Sequence, residues 1–160
     1  MTISLRNDFS AHIATTPDRF SLTWQNNSQA VAKRGKYVNI EAALKEAMNI
    51  DGALGAALVD WESGMSLGTI GGGKYLDLDV AAAGNTEVIR AKMRTMESLR
   101  LDDTIEDILI TLVKQYHLIR LSKSSRNEQG LFLYLVLDRQ KANLALARHT
   151  LKRIESEMTL

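Results

Sequence analysis

Residues 105–137 read IEDILITLVKQYHLIRLSKSSRNEQGLFLYLVL, and they decide how the rest of the chain is read. Ile108, Ile110 and Leu112 alternate with Leu109, Thr111 and Val113. That pattern predicts a strand over 105–113 covered on both faces. Lys114-Gln115 supplies a two-residue turn, 116–123 a second strand, and SSRNEQG (124–130) has the polar, Gly-ended chemistry of a hairpin connection. LFLYLVL (131–137) is apolar at every position. Such a strand needs an apolar layer on each side, so helices must cover both faces of the sheet.

Working outward, Ile40, Ala43, Leu44, Ala47 and Met48 fall on one face of a helix, with Asn39 at the N-cap position and Glu41 in the first turn. Asp51-Gly52 ends it. LGAALVD (54–60) and MSLGTI (65–70) form a hairpin around the turn WESG (61–64). Asp77 and Asp79 both offer N-caps for a long helix over 79–100. Its apolar arc holds Ala81, Ala82, Val88, Ile89, Met93, Met96 and Leu99, interrupted by Asn85 and Lys92. Either the helix touches two surfaces, or Lys92 snorkels at the edge of one. A last helix over 140–158, capped by Asp138, buries Leu144, Ala147, Leu151, Ile154 and Met158. Arg148, Lys152, Arg153 and Glu155 point away. The fold class is α/β (α+β): a three-layer sandwich in the order αββαβββα, its central five-stranded sheet mostly antiparallel.

A chain of 160 residues, 45% apolar and 24% charged, fits one globular domain. No stretch reaches the length of a membrane-spanning helix, and MTISLRNDFS lacks the basic-then-apolar order of a secretory signal. Without cysteine there is no disulfide framework and no thiolate metal site. A cytoplasmic location and no membrane insertion are expected. Residues 1–38 carry five basic against two acidic side chains, and the remainder 15 against 17. Residues 1–36 therefore read as an extended or partly disordered basic arm, and 37–160 as the domain. Within the arm, FSLTW (20–24) suits a strand or docking peptide. AKRGK (32–36) could touch phosphate or membrane, although a solvated tail is the simpler reading. No face interleaves aromatic and basic residues as nucleic-acid binding requires.

One stretch invites an enzymatic reading. GTIGGGKY (68–75) is G-x-x-x-x-G-K with Tyr75 where the phosphate-binding loop needs Ser or Thr for magnesium. A working loop follows a parallel strand and opens at once into a helix. This one follows a hairpin strand, and the helix is delayed past KYLDL, so the reading is a flexible connection. His12, His117 and His149 lack metal-ligand spacing, and His117, in line with Ile119 and Leu121, reads as a half-buried, satisfied side chain. Asp102-Asp103 and Glu106-Asp107 read as solvated charge, and Ser63 and Ser66 lack a nucleophile elbow. Neither catalysis, a cofactor nor a metal is expected.

NIDGALGAALVDWESGMSL (49–67) and LVLDRQKANLALARHTLKRIE (135–155) resemble the roadblock family, which includes the roadblock dynein light chains and the MglB-like bacterial regulators. The resemblance covers roughly 38–158. It implies a roadblock/profilin-like sandwich, and a homodimer in which the second helix and third strand pair across a two-fold axis. On this chain it puts Ile89, Met93, Met96, Ile108 and Ile110 at the dimer seam. It also implies a small Ras-like GTPase as partner, or an adaptor role in motor and signalling complexes, with the chain at most a non-catalytic modulator. The part-exposed Trp61 and the loop charge Lys74 are candidate partner contacts. Two other readings stay open: a PAS/profilin-like domain sensing a signal or small ligand, and a secretion-chaperone-like dimer.

Overall fold

The computed structural model describes residues 40–122 and 130–158. The basic arm, the Asn39 cap and most of the 124–130 loop lie outside the described residues. The order is α1 (Ile40–Met48), β1 (Ala53–Asp60), β2 (Met65–Gly71), α2 (Leu78–Ser98), β3 (Asp107–Thr111), β4 (Gln115–Leu121), β5 (Leu131–Asp138) and α3 (Leu144–Glu157). This is the αββαβββα order that the apolar patterns predict.

The five strands form one sheet in the order β2-β1-β5-β4-β3. Every pairing is antiparallel, where a mostly antiparallel sheet was expected. Strands β1 and β5, distant in sequence, meet at the centre. Ala56, Ala57, Leu58 and Val59 lie opposite Leu135, Tyr134, Leu133 and Phe132. Residues of β5 alternate between two cores. Leu133, Leu135 and Leu137 face α1 and α3, with Leu44, Ala47, Leu151 and Ile154. Phe132, Tyr134 and Val136 face α2, with Ala82 and Ile89. The strand is buried along its length, as an all-apolar run between two helical layers must be.

Several local expectations change. Helix α3 starts later than Asp138, and Asn143 is its N-cap, accepting from the Leu146 amide. Asp138 instead closes the turn after β5, accepting from the Gln140 amide at 2.9 Å. The β3–β4 turn is centred one residue earlier than Lys114-Gln115, since the Leu112 amide donates to the Gln115 carbonyl at 2.8 Å. Strand β3 is covered on both faces, but only in part: Leu109 packs on the core beneath α1 and α3, and Ile108 on the core beneath α2. It is the edge of the sheet, and Asp107–Ile110 are half-buried and Thr111 exposed. Alternation measures apolarity on each face, not how much of it the rest of the chain covers.

Glu155, expected to point away from the core, is buried. It lies 3.8 Å from Arg120 of β4, itself only 3% exposed. Arg120 also faces Glu106 at 3.7 Å and Asp107 at 3.6 Å. Asp107 in turn accepts a two-pronged contact from Arg148, at 2.6 Å and 3.1 Å. Asp107 is thus part of an enclosed network, not solvated charge. Without these carboxylates the buried guanidinium would carry a desolvation penalty of several kcal/mol. The network ties the edge strand β3 to β4 and α3.

Candidate functional site

The glycine-rich stretch closes into a tight turn, not a flexible connection. The Leu76 amide donates to the Gly73 carbonyl at 2.9 Å, and the Gly72 amide to the Leu54 carbonyl at 2.9 Å. Gly71, Gly72 and Gly73 all have positive φ. The preceding strand β2 is antiparallel to β1. The Asp77 carboxylate accepts from the Asp79 and Val80 amides at 3.0 and 3.1 Å. The place a phosphate would take at this helix start is therefore held by the chain's own anion. Lys74 projects into solvent and lies over the Tyr75 ring at 5.5 Å.

A polar group lies on the α2 side of the sheet. The Tyr134 hydroxyl donates to His117 Nδ1 at 2.7 Å, which leaves the Nε2–H to donate to Gln115 Oε1 at 3.1 Å. His117 is thus the half-buried, satisfied side chain its position predicts. Burial holds its pKa below the ordinary 6.5, because desolvation disfavours the charged ring. Burial likewise raises the Tyr134 pKa, partly opposed by the nearby Asn85 amide. Nδ2 of Asn85 nonetheless makes no well-formed hydrogen bond. Asn85 thus interrupts the apolar arc at a buried position beside this group, whereas Lys92 is exposed.

Helix α2 runs from β2, at one edge of the sheet, towards β3 at the other. It buries Leu78, Ala82, Thr86 and Ile89 beneath it. Its solvent side carries Val80, Gly84, Val88, Ala91 and Thr95, spaced by three or four residues, all exposed and none charged. Val80 is 70% and Val88 37% exposed. A side chain at Gly84 would meet nothing among the described residues. At the far end Met93, on the buried side of α2, joins Ile105 and Ile108 in the apolar cluster beneath the helix.

Beyond the last turn of α2 a groove opens whose described lining includes Trp61, Met93, Met96, Leu101 and Ile105, with Glu62, Glu97 and Asp103 beside them. Arg90 ties the helix to the β1–β2 turn there, donating to the Glu62 carbonyl at 2.6 Å.

This architecture has counterparts among solved structures. MglB of Myxococcus xanthus superposes with a TM-score of 0.64 over 74% of this chain and 83% of its own, at 17% identity. A roadblock/LC7 domain of Streptomyces avermitilis gives 0.57 over 73% and 88%, at 12% identity. The gliding protein MglB of Thermus thermophilus gives 0.56 over 74% and 89%, at 20% identity. The fold is that of the roadblock family. By sequence alone, no family model and no curated protein matches the chain. At these identities the likeness is one of fold, carried by sheet order and layering.

On the roadblock scaffold the residues singled out in the sequence separate into four places. Ile108 and Ile110 are half-buried on the edge strand β3, on its α2 side. Met93 and Met96 line the groove and are half-buried. Ile89 is fully buried in its own protomer, so it presents no surface to a second chain. Trp61 is half-buried in the groove wall, and Lys74 stands apart in the turn before α2. The stripe through Gly84 and Ala91 was missed in the sequence. Small residues score weakly in an apolar projection, and the signal available was a helix-interior glycine with no turn chemistry around it.

Proposed function

We propose that this roadblock domain is a homodimeric interaction module that regulates a small Ras-like GTPase or acts as an adaptor for one. The uncharged stripe of α2 and the open edge of β3 carry the reading. A glycine inside a helix costs roughly 0.5–1 kcal/mol relative to alanine. No contact among the described residues requires one at position 84. Close approach of a second helix does. The two sheet edges also differ. Strand β2 is interrupted by a bulge opposite Leu58/Val59, whereas β3 pairs with β4 without a break over Asp107–Thr111. Bulges blunt an edge, and a regular edge invites another strand. Ile108 and Ile110 then lie at the seam. Met93 supports it from within, and Val88 replaces Ile89 as the contact residue of α2.

The GTPase reading rests on the resemblance to the family and on the chain's lack of a phosphate loop of its own, the helix amides being capped by Asp77. Nucleotide and magnesium would come with the partner. The sensing alternative loses ground because β5 fills both layers.

Sedimentation equilibrium tests the dimer. The wild type should sediment as a dimer. Val88→Asp and Ile110→Asp should each weaken association by at least about tenfold, through burial of an unpaired charge, with circular dichroism unchanged. A wild-type monomer at high micromolar concentration would remove the central inference. The GTPase part is tested by GTP hydrolysis and pull-down with each Ras-like GTPase of the source genome. Absence of both binding and any rate change would refute it while leaving the dimer standing.

A further inference from the structure

We propose that self-association of this chain is regulated by protonation of His117. The inference rests on the dimer reading above and adds the control of that same seam. Ile110, given to the seam, stands directly opposite His117 in the pairing of β3 with β4. Directly paired residues share a sheet face, so the imidazole lies one strand in from the open edge, beside Ile110 and on the α2 side. Both side chains are half-buried in the separate protomer. Each ring nitrogen is committed: Nδ1 accepts from the Tyr134 hydroxyl at 2.7 Å, and Nε2–H donates to Gln115 Oε1 at 3.1 Å. That arrangement needs the neutral ring.

Protonation makes Nδ1 a second donor, and the Tyr134 oxygen then has to accept from it. The Tyr134 proton needs another partner. Beside it lies Asn85, buried on α2, whose Nδ2 makes no well-formed hydrogen bond. Asn85 adjoins Gly84 of the uncharged stripe. The group His117–Tyr134–Asn85 thus runs from beside the seam strand to the seam helix, and one proton disturbs both ends. A second copy seated along Ile110 also excludes water from the flank of the ring, which penalises imidazolium further. The charges facing it are few among the described residues. From β3 the ring meets Ile110, and along its own strand Gln115 and Ile119 share its face. On β5 stand Tyr134 and Asp138, the latter opposite Gln115 and 3.9 Å from Lys141. One or two turns along α2 from Asn85 only Lys92 is charged, and it repels a cation. By linkage, the ring holds its proton more tightly in the separate protomer, so acid favours dissociation.

Sedimentation equilibrium of the full chain at fixed ionic strength tests it, between about pH 8 and pH 5, where histidine is the ordinary titrating side chain. The wild-type dissociation constant should rise by about tenfold as pH falls, each unit of pKa difference between free and associated ring being worth a factor of ten. His117→Gln should remove that dependence. His12→Gln and His149→Gln, the latter exposed on α3, should keep it. An NMR titration of the His117 ring needs no variant: its pKa should fall as rising protein concentration carries the chain from monomer to dimer. A dimer whose dissociation constant ignores pH, or whose pH dependence survives His117→Gln, would overturn the inference and leave the dimer reading standing. So would a His117 pKa that does not change with concentration. A monomer at about pH 8 and high micromolar concentration would overturn both.

Discussion

The Trp61 indole occupies the space that any side chain at Gly130 would need. The two residues are also joined through the backbone, at the junction of the β1–β2 turn and the start of β5. Position 130 therefore decides whether Trp61 can form the groove wall. Gly130→Ala should expel the indole, red-shift its fluorescence in a Trp24→Phe background, and cost about 1–3 kcal/mol in urea denaturation. Adding Trp61→Ala should recover much of that loss, since the clash goes with the ring. An unchanged spectrum in Gly130→Ala would show that the indole does not rest there.

Ile89 and Val88 are neighbours in sequence with opposite roles. Ile89 is fully buried between α2 and the sheet, whereas Val88 stands on the solvent side. Ile89→Ala should cost about 2–5 kcal/mol of stability, measured by denaturation of the dissociated protein. Val88→Ala should cost far less there, yet raise the dimer dissociation constant. If Val88→Ala destabilised the separated protomer as much as Ile89→Ala does, the stripe would belong to the core.

Arg120 is held by carboxylates from two elements, Glu106 and Asp107 beside β4 and Glu155 from α3. Breaking such a buried arrangement from one side leaves charge uncompensated and typically costs about 3–5 kcal/mol. Glu155→Leu should fall towards the lower end, because Asp107 and Glu106 remain. Arg120→Met combined with Glu155→Leu should be more stable than either single variant. Chemical denaturation gives all three values, and strict additivity would show that the two residues do not interact.

The His117 site predicts a pH dependence. Its folded pKa lies below the unfolded 6.5, so below that value the unfolded chain binds the proton more readily than the folded one. Stability from this group is fully present above 6.5 and is lost as pH falls through the folded pKa. Protonating Nδ1 would also remove the acceptor used by Tyr134. The difference in stability between wild type and His117→Gln should therefore shift against the wild type between about pH 7 and pH 5. A difference that stays constant over that window would show that His117 titrates normally.

Much of this was written in the sequence. Elements and their order follow from local periodicity, Asp77 capped α2 as its position promised, and His117 lay in line with Ile119 on one face. Tyr75, the hairpin before it and the delayed helix already told against phosphate binding. What the sequence could not supply were relations between distant segments. The pairing of β1 with β5 makes β3 an edge, so a strand with apolar residues on both faces is left only half-buried. Glu155 looked like surface charge on its helix, because its partner Arg120 stands on a strand more than thirty residues away. Ile89 and Val88 share one apolar arc, and only the placement of α2 on the sheet separates core from surface. Periodicity reports which side chains avoid water. Tertiary packing decides which of them the chain itself can cover, and the remainder, along the Gly84 stripe and the β3 edge, is what it offers to others.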